Sequence, residues 1–102
     1  MKNCIFCKIV NGEIAAEKIY ENKDVFAFSD VNPVNYGHTL VVPKKHYKMI
    51  TDTPDELLSK VFVKSKELIK IIKKSLKCDF VAVSVVGVDV AHFHVHLVLN
   101  IF

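Results

Sequence analysis

Residues 91–99 have the sequence Ala-His-Phe-His-Val-His-Leu-Val-Leu, which places three of the chain's five histidines at every second position. Successive side chains of a β-strand point to opposite faces, so the spacing predicts a strand with all three imidazoles on one face. Phe93, Val95 and Leu97 then lie on the other face, where they can pack against a core. A rise of about 3.3 Å per residue separates neighbouring imidazoles by about 6–7 Å, so two of them can act on one reacting group.

Two kinds of chemistry suit this row of histidines. Three imidazoles on one face can chelate zinc in an open catalytic site. One of them can instead act as a nucleophile. The local pattern does not decide between these interpretations. It does argue against a solvated strand with incidental histidines, because apolar residues flank the row on both sides.

Length and composition restrict the class of protein. A chain of 102 residues, 51% of them apolar and 25% charged, predicts one soluble domain with a single modest core. No apolar run is long enough to span a membrane, and the first residues lack the apolar segment of a signal peptide, so we expect a cytoplasmic protein. The net charge of +3 comes from dispersed lysines, which are compatible with an anionic ligand without requiring one.

Cys4 and Cys7 form a CxxC pair near the start of the chain, and a third cysteine lies at position 78. An odd number of cysteines in a chain of this type favours metal binding or free thiols over a disulfide framework. A catalytic redox pair usually follows a strand, and the sequence predicts none before Cys4. Half of a zinc site is therefore favoured, with two further ligands elsewhere, while two incidental cysteines remain the alternative.

The remaining pattern predicts an α+β fold: a five-stranded, mainly antiparallel sheet with one long amphipathic helix and a short N-terminal helix. The short helix ends at Gly12. The first two strands form a hairpin; the second strand is expected to be covered on both faces, and the fourth is expected to be buried. The strands are placed at residues 18–21, 25–29, 37–43, 80–86 and 91–99.

The long helix is predicted to begin with Thr53 as N-cap, Pro54 at the first helical position and Glu56 closing a capping box. Apolar residues then recur at helical spacing, and most lysines lie off that stripe. The stripe is expected to pack on the sheet through residues that include Leu57, Val61, Leu68 and Ile72.

Three segments together resemble the histidine-triad (HIT) superfamily: Phe28-Ser-Asp30-x-x-Pro33, Gly37-His38-Thr-Leu-Val-Val-Pro43-Lys-x-His46 and His92-x-His94-x-His96. The N-terminal Cys-Ile-Phe-Cys-Lys-Ile resembles bacterial members of the Hint branch. The resemblance runs from about residue 3 to residue 98. It implies a single HIT domain over residues 1–102 and a homodimer whose two sheets join. It also implies a nucleotide hydrolase or transferase acting at an α-phosphate.

The resemblance also assigns roles to individual positions. His94 would be the nucleophile that forms a nucleotidyl-histidine, His96 would contact the phosphate and the leaving group, and His92 and His38 would orient the centre. Asp30 would hold the ribose hydroxyls. Phe28 and Val31 would line the base pocket. In zinc-containing bacterial members the structural zinc ligands match four positions: Cys4, Cys7, His46 and His92.

The chain departs from the family pattern at several positions. Family members usually carry Gly-Gln-Ser/Thr-Val before the triad, where this chain has Gly-Val-Asp-Val at residues 87–90. The phosphate-contacting Asn has no clear match, so Ser84 is the candidate, and Asp89 adds a negative charge beside the expected phosphate. The C-terminal tail that helps to shape the Hint-branch pocket is expected to be short or missing. We therefore expect an altered or reduced activity.

The favoured function is hydrolysis of nucleoside phosphoramidates or related purine nucleotides, since His96 stands where transferases carry Gln. A zinc-containing, nucleotide-binding scaffold with weak or no catalysis is the first alternative. A dinucleoside polyphosphate hydrolase is the second, and the missing Gln before the triad disfavours it. Nucleic acid is an unlikely partner, because the lysines are not interleaved with aromatic residues that could stack on bases.

Overall fold

Five strands form one antiparallel sheet in the order β1-β2-β3-β5-β4. The computed structural model describes residues 4–29, 38–87 and 90–100, with every side chain except that of Asn100. The predicted α+β class is confirmed. In chain order the elements are α1 (Ile5–Val10), β1 (Lys18–Glu21), β2 (Val25–Ser29), β3 (Thr39–Pro43), a 3₁₀ turn (Ile50–Asp52), α2 (Asp55–Leu76), β4 (Phe80–Ser84) and β5 (Val95–Asn100).

The short helix α1 is fixed at both ends by local features of the sequence. Cys4 is its N-cap, and the Cys4 Sγ accepts a hydrogen bond from the main-chain N–H of Cys7 at 3.4 Å. At the other end Gly12 has φ +80°, a left-handed conformation that favours glycine. The N-cap bond positions both thiols of the CxxC pair on the first turn of the helix.

Successive side chains of the strands point alternately to α1 and to α2, and apolar residues occupy both sets of positions. The sheet therefore has a core on each face. The core on the α2 face comprises Val25, Ala27, Val41, Val61, Leu68, Phe93, Val95 and Leu97. The core on the α1 face comprises Cys4, Phe6, Ile9, Phe26, Phe28, Leu40 and Val42. Strand β2 is therefore buried on both faces, as its unbroken apolar run predicts.

The long helix packs on the sheet as its period predicts, but it begins differently. Val61 and Leu68 are buried in the core, and Ile72 packs against it. Leu57 is half-buried and lines an open cleft near the start of α2. The predicted capping box at Thr53 is wrong: Pro54 is the N-cap, no side chain caps it, and the Thr53 hydroxyl donates to the main-chain oxygen of Met49 at 3.0 Å. The Thr53 hydroxyl therefore stabilises the preceding 3₁₀ turn and does not cap α2.

The core under α2 gives a direct stability prediction. Leu68 is only 5% exposed, so Leu68→Ala removes buried methyl groups and leaves a cavity. We expect it to lower the free energy of unfolding by about 2–5 kcal/mol, measured by urea denaturation. The matched control is Lys70→Ala, an exposed position on the same helix where we expect a change within about 0.5 kcal/mol. Equal effects of the two substitutions would contradict the packing of α2 on the sheet.

Strand β4 differs from its prediction as a buried strand over residues 80–86. It ends at Ser84, lies at the edge of the sheet and pairs only with β5 among the described strands. Phe80, Val83, Val85 and Val86 are all exposed in the single chain. An apolar run predicts burial but not what covers it, so the sequence alone does not separate a central strand from an apolar edge.

The histidine strand, β5, begins at Val95 and not at residue 91 as predicted. Residues 92 and 93 precede it and make loop hydrogen bonds. The N–H of Phe93 donates to the main-chain oxygen of Tyr47 at 2.7 Å, and that of His92 donates to Val90 at 2.9 Å. The alternation of faces nevertheless holds, since Phe93, Val95 and Leu97 all lie in the core on the α2 face. No helix in the described ranges is long and apolar enough to cross a membrane.

Candidate active site and metal centre

His94 is held by the main chain of the histidine segment itself. Its Nδ1 lies 2.6 Å from the carbonyl oxygen of His92. A carbonyl oxygen can only accept, so Nδ1 carries the proton and the other ring nitrogen, Nε2, carries a lone pair when the ring is neutral. His94 is 3% exposed, which restricts the ring to this orientation. The local structure therefore provides an oriented imidazole with a defined tautomer.

His96 and His38 continue the row of rings beyond His94. His96 lies in β5, in register with Leu40 of β3, and His38 immediately precedes that strand. The His38 Nε2 and the His96 Nδ1 are 3.1 Å apart, within hydrogen-bond distance. The ring centroids of His94 and His96 are 4.7 Å apart, closer than the spacing of a regular strand suggests. Pairing of β3 with β5 thus assembles three imidazoles from two distant segments.

Phe6 contributes a contact that sequence analysis missed. Its ring meets the ring of His94 edge-on, with centroids 4.9 Å apart and an interplanar angle of 86°. It also contacts His92 at 5.9 Å and Phe28 at 5.5 Å between centroids. The sequence feature that could have identified this contact is the position of Phe6 between Cys4 and Cys7, which places Phe6 beside any site that the pair forms.

The His92 ring contacts the CxxC pair through its Nδ1. Its Nδ1 lies 3.3 Å from the Cys4 Sγ and 3.6 Å from the Cys7 Sγ, and the His46 Nδ1 lies 3.4 Å from the Cys7 Sγ. The four ligand atoms all lie within 4.8 Å of one another. The structure thus brings together the four residues that the resemblance assigns to zinc, although they come from three separate parts of the chain.

The cluster fits a tetrahedral zinc ion on geometry and donor chemistry. Zn–S bonds of about 2.3 Å and Zn–N bonds of about 2.0–2.1 Å place S and N ligand atoms about 3.6 Å apart, close to the three observed distances. The His92 Nε2 donates to the main-chain oxygen of Pro43 at 2.9 Å, so its Nδ1 offers a lone pair to the cluster. Such a second hydrogen bond is typical of metal-binding histidines.

Burial shifts the pKa of two members of the cluster, His92 and Cys7, when no metal is bound. Desolvation lowers the pKa of His92 below its usual value, although its hydrogen bond to Pro43 opposes the shift. Burial, together with the neighbouring Cys4 thiol, raises the pKa of Cys7 to about 11. Near pH 7 the metal-free site therefore holds a neutral His92 and a protonated Cys7. A metal ion must displace the Cys7 proton on binding.

The predicted nucleotide-binding residues are only partly located. Phe28 is buried in β2 and contacts Phe6. Ser84 is exposed at the end of β4, in register with His96, so it lies beside the triad. Asp30, Val31 and Asp89 lie outside the described residues.

Comparison with known proteins is consistent with this fold and site. The model of the HIT domain family matches residues 11–100. An uncharacterized HIT-like protein of Methanocaldococcus jannaschii is 44% identical over 99 residues, covering 93% of this chain and 77% of that protein. An adenosine 5'-monophosphoramidase of Saccharomyces cerevisiae is 37% identical over 100 residues, covering 93% of this chain and 61% of the relative.

Among solved structures, the chain is similar to a Zn-bound histidine triad family protein from Mycobacterium smegmatis. The TM-score is 0.92 at 30% identity, over 97% of this chain and 76% of that protein. The fold, the clustered histidines and the family match agree with one another. The chain belongs to the HIT family.

Proposed function

We propose that the protein hydrolyses nucleoside phosphoramidates, or related purine nucleotides, at the α-phosphate through a covalent nucleotidyl intermediate on His94. The observation that carries this proposal is the 2.6 Å hydrogen bond from the His94 Nδ1 to the His92 carbonyl. It leaves the His94 Nε2 as an oriented nucleophile that needs no base to remove a proton. The phosphoramidase relative supports an adenosine 5'-phosphoryl group as substrate.

In the first step the lone pair of the His94 Nε2 attacks phosphorus and the bond to the leaving amine breaks. The carbonyl of His92 accepts from the opposite nitrogen, so it stabilises the positive charge that develops on the ring. Water attacks the nucleotidyl-histidine in the second step and restores the free imidazole. Splitting the displacement in this way allows one site to carry out both halves of the hydrolysis.

His96 is the group best placed to exchange protons with the reacting atoms. Its ring lies beside that of His94, and its Nδ1 is linked to His38. We assign it to protonate the leaving amine in the first step and to assist the attacking water in the second. His38 would then orient His96 through their 3.1 Å contact. His92 orients His94 through its carbonyl, and its side chain would also bind zinc.

Zinc fits the site of Cys4, Cys7, His46 and His92 in a structural role. Two thiolates and two imidazoles complete a tetrahedral shell and leave no open position for substrate. Bound there, the metal would supply cross-linking of the N-terminal helix to the histidine segment. The chain's own residues carry the chemistry, since His92 holds His94 through the main chain.

Turnover of an adenosine phosphoramidate by the purified, zinc-loaded protein tests the proposed function. We expect release of AMP and of the free amine in equal amounts. Diadenosine polyphosphates serve as the comparison substrate and should turn over more slowly, if at all. Binding of AMP without any turnover would favour a nucleotide-binding scaffold instead.

A homodimer formed through β4 is part of the same proposal. This strand exposes apolar side chains in the single chain and, among the described strands, pairs with β5 alone, so a second copy could cover its apolar side chains. Two copies related by a two-fold axis would join their sheets edge to edge. The family resemblance implies the same arrangement.

The dimer gives a prediction with a matched control. Val83 on β4 is 47% exposed, and Ile19 on the opposite edge strand β1 is 44% exposed. We expect the wild type and Ile19→Lys to sediment as dimers at micromolar concentration. Val83→Lys should sediment as a monomer, because it buries a charge in the proposed contact. A monomeric wild type, or a dimeric Val83→Lys, would contradict the proposed interface.

A further inference from the structure

Cys4 and Cys7 form the only cysteine pair that the described residues bring together, and the third cysteine, Cys78, is not part of their cluster. We propose that this pair is a site of reversible disulfide modification, with low-molecular-weight disulfides as co-reactant, and that the modification reduces activity at His94. The proposal rests on the proposed function for its effect on turnover, but formation of the disulfide does not depend on it.

The pair has the geometry that a disulfide needs. Both residues lie on the first turn of α1, three positions apart, and the Cys4 Sγ already accepts from the Cys7 N–H. The two sulfur atoms lie within 4.8 Å of each other. Closing that gap to the S–S bond length of about 2.05 Å needs side-chain rotation and a small adjustment of one helical turn.

Burial differs between the two thiols and suggests an order of reaction. Cys7 is half-buried, whereas Cys4 is buried. A disulfide in solution would therefore meet Cys7 first. The Cys7 sulfur attacks as a thiolate, the form in which it would bind zinc: it bonds to one sulfur of the reagent, the reagent's S–S bond breaks, and one thiol leaves. Cys4 then attacks the mixed disulfide at Cys7 and releases the second thiol.

The exchange balances in electrons and atoms. The two cysteines lose two electrons, and one molecule of reagent gains them as it becomes two thiols. The protons of the cysteines, or protons from water when the cysteines are metal-bound thiolates, end on the released thiols. The product retains only His46 and His92 of the four metal ligands, so zinc is no longer held in a closed shell.

Two routes connect this modification to His94, one through His92 and one through Phe6. The His92 Nδ1 loses its sulfur partners, and the carbonyl of the same residue is the acceptor for the His94 Nδ1. Phe6 lies between the two cysteines in the chain and packs edge-on against His94, so tightening the first turn of α1 displaces its ring. The modification site and the proposed nucleophile are therefore linked through Phe6, on the first turn of α1, and through His92.

The test uses Cys78→Ser, in which the pair supplies the only thiols of the chain. Zinc-loaded protein is incubated with oxidised glutathione, and zinc release, free thiols, the mass of the N-terminal peptide and turnover are followed together. We expect one zinc and two thiols to be lost in parallel and the peptide to lose two hydrogen atoms. Turnover should fall by about 10–100-fold and recover with dithiothreitol and zinc.

Three results would overturn the proposal: a pair that stays reduced, a pair that stops at a glutathione adduct, and a complete Cys4–Cys7 disulfide with unchanged turnover. Zinc content and turnover of the untreated protein are measured first. If untreated protein binds zinc but hydrolyses no phosphoramidate, the proposed function alone fails. The affinity for AMP then replaces turnover as the readout at His94, and an affinity unchanged by the disulfide would overturn the proposal.

Discussion

His94→Asn is expected to abolish turnover of an adenosine phosphoramidate, a loss greater than about 10⁴-fold. Asn has no ring nitrogen that could attack phosphorus, so the covalent route is closed and not merely slowed. Asn is also polar and smaller than His, so it fits the buried position without a clash. AMP affinity should therefore stay close to that of the wild type. Initial rates and calorimetric AMP binding, measured on the same preparations, give both quantities.

His96→Ala is the comparison for that result. Loss of one acid–base group typically costs about 10²–10⁴-fold, so this variant should keep measurable activity. All five histidines of the chain lie in the two sites, so none of them can serve as a neutral control. Thermal unfolding of both variants is therefore used to check that they are folded. Near-wild-type turnover by His94→Asn would show that the nucleophile lies elsewhere.

Removal of zinc is expected to lower the stability of the folded protein strongly. A ligand that binds only the folded state at about 1,000 times its Kd stabilises it by about 4 kcal/mol. For a domain of this size that corresponds to a fall in Tm on the order of 20 °C when the metal is removed. The physical reason is that the cluster connects three distant segments, so its loss frees the N-terminal helix from His46 and His92.

Scanning calorimetry of zinc-loaded protein, with and without chelator, measures this shift. Cys4→Ser removes one ligand and should bring the loaded protein close to the chelated one. Cys78→Ser is the matched control, because it deletes a thiol outside the cluster and should leave Tm and zinc content unchanged. Protein prepared without chelator that contains no zinc, or an unchanged Tm on chelation, would contradict the metal assignment.

The sequence predicts those parts of the fold in which local pattern and tertiary packing agree. The hairpin at residues 18–29 has the predicted bounds, and the stripe on α2 delivers Val61 and Leu68 to the core. An unbroken apolar run indicates the buried side chains in β2, and a helical period indicates them in α2. The residues of the zinc cluster came from the resemblance, because spacing alone indicates only that Cys4 and Cys7 need two partners.

The errors occur where a tertiary contact overrides the local signal. Thr53 is a good N-cap by residue type, yet its hydroxyl serves the turn before α2. The start of the histidine strand is delayed because Phe93 bonds to Tyr47 across the fold. Nothing in the periodicity shows which strand lies at an edge, so the exposure of Val83 could not be derived from it.

The most direct test of the central claim is to trap the intermediate on His94. Protein is mixed with an excess of an adenosine phosphoramidate, quenched in alkali within the first turnovers, digested and analysed by mass spectrometry. We expect an adenylyl group on the peptide that contains residues 92–96, with fragment ions that place it on His94, and its absence in His94→Asn. An adduct confined to His96, or turnover that proceeds with no adduct at any quench time, would contradict it.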